Sequence, residues 1–165
     1  MVRSMDSRSD ADGGDGSRSP RDVFLRLVKG VCEGPYEDLA DLYAEQTYVT
    51  HPFHPLDAPP LRSRSQLHEH FTAPPPFART LNREPVNITI HETVDPEVIV
   101  AEFAYHGHVE ETGEAFTVPC VFVLRVRDGL IVESRDYIDH IASARAWGQL
   151  ESLLTALRPS RDVDR

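Results

Sequence analysis

The sequence predicts an α+β fold, and three observations carry that prediction. Apolar residues recur at helical spacing near the start of the chain. The second half alternates apolar and polar residues over long runs. Turn dipeptides, Asp95-Pro96, Thr112-Gly113 and Asp128-Gly129, separate those runs. Helices followed by a meander of long strands imply a twisted antiparallel sheet of about four to six strands with helices on one face. The 165 residues suit one core rather than two.

The first helix has a plausible N-cap in Ser19 and proline at its first position, Pro20. Val23, Phe24, Leu27, Val28 and Val31 share a face, and Gly34-Pro35 ends the helix. A short second helix turns Leu39, Leu42 and Tyr43 inward. Thr47 to Thr50 reads as a short strand that stops at His51-Pro52, where proline removes a ladder donor. Phe53 to Leu61 is irregular and Pro-rich. Ser63 and Gln66 have capping-box spacing for a third helix carrying Leu67 and Phe71. A second irregular stretch, PPPFART, follows.

The strands come next. Val86, Ile88 and Ile90 alternate with Asn87, Thr89 and His91. Val98 to Glu110 and Ala115 to Arg127 are long strands, and Leu130 to Asp139 is the last. Asp128-Gly129 between two alternating runs is a strong hairpin signal. A single C-terminal helical segment carries Ile141, Trp147 and Leu150. Residues 1–19 and 158–165 are polar and low in apolar content, which predicts disordered tails around a domain at 20–157.

The formal net charge of −10, with no Lys/Arg stripe, argues against nucleic acid as a partner. No apolar run approaches the roughly 20 residues of a membrane span, and the N-terminus lacks the apolar segment of a secretory signal. A cytoplasmic protein with no membrane partner is expected. Cys32 and Cys120 read as buried free thiols. No Gly-x-Ser-x-Gly, Cys-x-x-Cys, Gly-x-Gly-x-x-Gly or phosphate loop is present, so cofactor-independent chemistry is expected.

Three segments carry a resemblance. They are LYAEQTYVTHPF at 42–53 with the following SRSQLHEHF, TGEAFTVPCVFVLRV at 112–126, and DGLIVESRDYID at 128–139. Together they resemble the nuclear-transport-factor-2-like superfamily in its SnoaL-like branch, with ketosteroid isomerases, limonene-type epoxide hydrolases and polyketide cyclases as relatives. The resemblance implies a cystatin-like cone, a curved sheet wrapped on about three helices with an internal pocket. It also implies a homodimer through the outer sheet face.

Candidate site residues follow from both sources. Alternation puts Ser134, Asp136 and Ile138 on one face. Asp136 matches the acid/base aspartate of the epoxide hydrolase relatives. A carboxylate between apolar neighbours has its charged form disfavoured, which lifts its pKa toward a working range. The plainer reading is a hydrogen-bonded structural aspartate. His51 stands where the isomerase relatives carry their general base, and histidine titrates near neutral pH without special tuning. The plainer reading is a strand-end histidine satisfied by backbone. Leu27 replaces the isomerases' oxyanion tyrosine, and Phe122 falls about where they carry its aspartic partner. That puts steroid-type isomerisation by their route in doubt. Phe103 and Tyr105 fall near the Arg and Asp of the epoxide hydrolases and read as aromatic pocket wall or ordinary core. Phe53 is a further candidate substrate contact.

His106 and His108 share a strand face and could hold a metal with Glu102 or Glu110, but parity puts them outside, opposite Phe103 and Tyr105, and no metal is expected. His54, Asp57 and His140 could rim the pocket mouth. His68, Glu69 and His70 read mostly as a solvated helix face. The sequence thus points to a small acid/base enzyme acting on an apolar, oxygenated, polyketide-like metabolite: an isomerase, cyclase, dehydratase or epoxide hydrolase. The alternative is a binding or dimeric interaction module on the same fold.

Overall fold

The computed structural model describes residues 18–73 and 79–158. The tails expected at 1–19 and 158–165 and the PPPFART stretch lie almost wholly outside the described residues. Helix α1 spans Pro20–Glu33; the Ser19 hydroxyl accepts from the Asp22 amide at 3.2 Å, and Val23, Phe24, Leu27 and Val28 are buried. Gly34 closes it by donating its amide to the Gly30 carbonyl. The expected second helix is a 3-10 turn, Tyr36–Leu42. It buries Leu39 and Leu42 as anticipated, but Tyr43 opens a strand instead.

Strand β1 is Tyr43–Thr50, longer at its start than the sequence suggested, and β2 is Leu61–Ser63, a short edge strand at the close of the Pro-rich stretch. Helix α2, Arg64–Thr72, begins with the foreseen cap: the Ser63 hydroxyl accepts from the Gln66 amide at 3.2 Å. The Gln66 side chain reaches back one residue further than the usual box, accepting from the Arg62 amide at 2.6 Å.

Strands β3 (Leu81–Glu92), β4 (Val98–Val109), β5 (Ala115–Arg127) and β6 (Leu130–Ile138) form the antiparallel meander. Asp128 and Gly129 both have positive φ, 51° and 74°, which matches the two-residue type I′ connection that suits strand twist. The alternation read into β3 is interrupted. Asn87 has φ 55° and the register slips between Val86 and Thr89, so Val86 and Ile90 do not share a face.

The six strands run in the order β2-β1-β6-β5-β4-β3. The sheet is mixed rather than wholly antiparallel, because β1 pairs with β6 in parallel. These two strands are separated by the whole meander, and a connection that long lets the returning strand run in either direction. The C-terminal segment is two helices, α3 (His140–Ala146) and α4 (Leu150–Ala156). Gly148 breaks it at φ 69°, with the Arg79 guanidinium packed where a side chain would stand. Among the described residues no helix is long and apolar enough to cross a membrane.

The core lies between α1, the 3-10 turn and the inner sheet face. Phe24 meets Phe103 edge-to-face at 5.3 Å, and Phe103 meets Phe122 at 5.0 Å. Cys120, Phe122 and Leu124 are buried on that face as expected from alternation, and both cysteines are free.

Candidate active site

A cavity remains between the helices and the concave sheet face, offering about 160 Å³ to the centre of a water molecule and about 800 Å³ of empty space with its open mouth. For scale, an engineered apolar cavity of about 150 Å³ holds a benzene ring. Helix α1 contributes Leu27 and Val31, β1 contributes Tyr43 and Val49 with His51 just beyond its end, and α2 contributes Leu67, His70 and Phe71. The sheet adds Arg83, Tyr105, Phe122, Asp136 and Ile138, and Trp147 after α3 closes one side.

Asp136 is buried on β6. Phe122 stands directly opposite it on β5, and Ser134 and Ile138 are its neighbours along β6 on the inner face. Loss of water is the dominant influence and lifts its pKa from 3.8 to about 7; the Ser134 hydroxyl, which donates to Oδ1, opposes the rise. His51 follows the end of β1. The parallel register sets Thr50 opposite Arg135, so the next residue on each chain is His51 and Asp136. Nε2 of His51 lies 4.0 Å from Oδ2 of Asp136. Desolvation lowers the His51 pKa from 6.5 to about 4, with smaller contributions from His70, His140 and His54. At neutral pH the imidazole is therefore uncharged and the carboxyl is near its midpoint. At 4.0 Å the two groups are beyond direct hydrogen-bond reach, which leaves each free to meet a third atom.

The other candidates separate. Leu27, Tyr105, Phe122 and Ile138 line the cavity with His51 and Asp136. Phe103, expected as a substrate contact, is not in the lining: it is buried among Phe24, Tyr105 and Phe122 and serves as core. Ser134 is fully buried behind Asp136 and touches the site only through that carboxylate. Phe53 is outside altogether, 70 % exposed and edge-to-face with Tyr137 at 5.0 Å, because the chain turns to the outer sheet face after Pro52.

His54 and His140 pack ring to ring at 4.7 Å and line a separate groove beside α4, with His140 also 6.4 Å from His51. Asp57 lines neither. His106 is exposed and shares a 2.9 Å hydrogen bond with Thr117, while Glu102 pairs with His91 at 3.6 Å. Among the described residues no group of His, Cys, Asp and Glu is placed to hold a metal.

Among the lining residues that sequence reasoning did not place at the site are His70, Tyr43, Arg83 and Trp147. Of His68, Glu69 and His70, which read mostly as a solvated face, His70 is the exception: it stands 6.1 Å from His51, and desolvation lowers its pKa. Tyr43 was assigned to a helix. Burial raises the pKa of its hydroxyl and of that of Tyr105, so both stay protonated. Arg83 lay in a segment without a pattern, and Trp147 was placed in a continuous helix. Only the sheet bulge and the break at Gly148 bring those two together.

The profile of the SnoaL-like domain matches residues 24–134. An uncharacterised Bacillus subtilis protein, YesE, is 37% identical over 60 residues, which is 36% of this chain and 41% of that protein. The chain thus spans about two fifths of that relative's length. An uncharacterised PhzA/B-like protein of Pseudomonas aeruginosa is 23% identical over 137 residues, covering 80% of this chain and 92% of the relative. Among solved structures, a proposed isomerase from Bacillus subtilis superposes with TM-score 0.66 at 23% identity, covering 77% of this chain and 91% of its own. A proposed polyketide cyclase from Pseudomonas putida gives 0.60 at 12% identity, covering 79% and 98%. At these identities the structural likeness is one of fold. The chain belongs to the SnoaL-like domain family and has the ketosteroid-isomerase-like, nuclear-transport-factor-2-like fold.

Proposed function

We propose that the protein is a cofactor-independent acid/base catalyst acting on an apolar, oxygenated small molecule. The observation that carries this reading is the His51–Asp136 pair, 4.0 Å apart on the wall of an otherwise largely apolar cavity. Asp136, titrating near 7, is suited to take a proton from an acidic carbon and return it elsewhere. His51, neutral at that pH, is suited to polarise the substrate carbonyl with its N–H, as a neutral imidazole does in other proton-transfer enzymes. The Tyr43 and Tyr105 hydroxyls offer further donors to a developing enolate oxygen. Isomerisation, aldol-type cyclisation and dehydration all begin with such a step. Two relatives' names, isomerase and polyketide cyclase, fall in the same chemistry.

The test is deuterium exchange in D2O, followed by NMR, with a panel of apolar ketones, β-keto esters and lactones. Wild type exchanges an α-hydrogen of at least one compound, Asp136→Asn loses at least a hundredfold, and His51→Gln loses tenfold or more. Exchange at the wild-type rate in both variants, or none with any compound, overturns the reading.

The second reading is a binding module, favoured by Leu27 and Phe122, apolar where the resemblance puts an enolate-stabilising pair. It gives ligand-induced thermal stabilisation without exchange. We also propose a homodimer through the outer sheet face. Val100 faces Val123 and Val121 faces Tyr137 there, extended by Phe53, as an apolar strip flanked by Glu102 and Arg135.

A further inference from the structure

Among the described residues the cavity wall carries one permanently charged cation, Arg83, and the acid/base pair does not use it. Its guanidinium lies 5.3 Å from the ring centre of Tyr105 and 5.7 Å from that of Trp147. One amino group donates to the Val31 carbonyl in the last turn of α1 at 2.9 Å. Among the described residues this is its only hydrogen bond, and no carboxylate lies within ion-pair distance. A guanidinium has five N–H donors, so most of this one's remain unused. Its charge reaches the cavity wall, where it opposes the burial-driven rise in the pKa of Tyr105 and Cys120.

The surrounding structure holds the group in place. Gly107, opposite Arg83 in the β3–β4 register, has no room for a side chain, since a Cβ there would meet the Asn82 carbonyl and the Arg83 backbone. Two aromatic rings and a helix carbonyl then fix the guanidinium plane. A stacked, positioned arginine with free donors matches a carboxylate, which it binds through two parallel N–H···O bonds. Arg83 is half-buried with no carboxylate partner among the described residues, so a bound anion gains a charge-assisted pair there. Arg83 is the one Lys or Arg among the described lining residues and Asp136 adds negative charge to the same cavity, so the complement is a monoanion rather than a phosphate dianion.

We infer that Arg83 recognises a carboxylate, so that the cavity takes small monocarboxylic acids with an apolar or aromatic body. The acid end lies on Arg83, between Tyr105 and Trp147, and the body extends toward His51 and Asp136, three strands across the sheet. The inference deepens the acid/base reading and rests on it only for the chemistry at the far end.

Calorimetry with benzoate, trans-cinnamate and 2-naphthoate, each against its primary carboxamide, tests this. At least one carboxylate binds wild type ten times more tightly than its amide. Arg83→Met brings that pair within twofold, and Arg83→Lys keeps part of the preference. The Arg83 Nε–H resonance of wild type shifts with the carboxylate and not with the amide, a readout that needs no variant to fold. Equal binding of acid and amide in all three pairs, absence of carboxylate binding, or an unmoved Arg83 resonance overturns the inference. Carboxylate preference without deuterium exchange sinks only the acid/base reading; exchange without the preference sinks only this one.

Discussion

Ser134 and Asp136 stand two residues apart on the inner face of β6, and the buried hydroxyl of the first donates to the carboxylate of the second. This bond favours the charged carboxylate and opposes the desolvation that lifts its pKa to about 7. Ser134→Ala therefore moves the Asp136 midpoint further up. Carbon-13 NMR of the side-chain carboxyl measures it, and a lower midpoint would contradict the arrangement. The lost hydrogen bond costs about 1 kcal/mol of stability.

The site pair makes opposing contributions to stability against pH. Asp136 has a raised folded-state pKa, so its contribution is fully present below about pH 3.8 and is lost as pH rises to about 7. The interval corresponds to on the order of 4 kcal/mol. His51 has a depressed folded-state pKa, so its contribution is present above 6.5 and lost as pH falls toward 4. Relative to wild type, Asp136→Asn gains stability as pH rises from 4 to 7. His51→Gln shows its greatest relative stability near pH 4 and loses that advantage by 6.5. Urea titrations at intervals across this range read both slopes, and parallel curves for the two variants would be the contrary result.

Phe103 and Phe53 should behave oppositely although both are aromatic. Phe103 is buried against three aromatic rings, and Phe103→Ala costs about 3–5 kcal/mol. Phe53 is 70 % exposed, and Phe53→Ala costs under about 1 kcal/mol in the monomer. Chemical denaturation separates the two, and similar losses would contradict their placement.

Gly107→Ala forces the β3 backbone to move, because its Cβ meets Asn82 and Arg83. A loss of roughly 1–3 kcal/mol is expected, as for other overpacking changes, and denaturant midpoints measure it.

The proposed dimer is tested by light scattering of wild type and Val123→Glu, which puts a charge in the middle of the apolar outer strip. A dimeric wild type and a monomeric, folded variant are expected; a monomeric wild type at high micromolar concentration contradicts it.

Local chemistry made most of the fold legible. Ser19 and Pro20, Ser63 with Gln66, and Asp128-Gly129 act within a few residues, so the α1 and α2 starts and the β5–β6 hairpin could be read directly. Period-2 alternation put Asp136 and Phe122 inward. Tertiary structure decided the rest. The parallel pairing of β1 with β6 places His51 beside Asp136, and partners more than eighty positions apart in the chain carry no local signal of direction. Positive φ at Asn87 and Gly148 shifts the face of β3 and breaks the C-terminal helix, bringing Arg83 under Trp147. Alternation likewise cannot tell Phe103 in the core from Tyr105 on the cavity wall. Both point inward, and only the packing of α1 over the sheet covers one and leaves the other open.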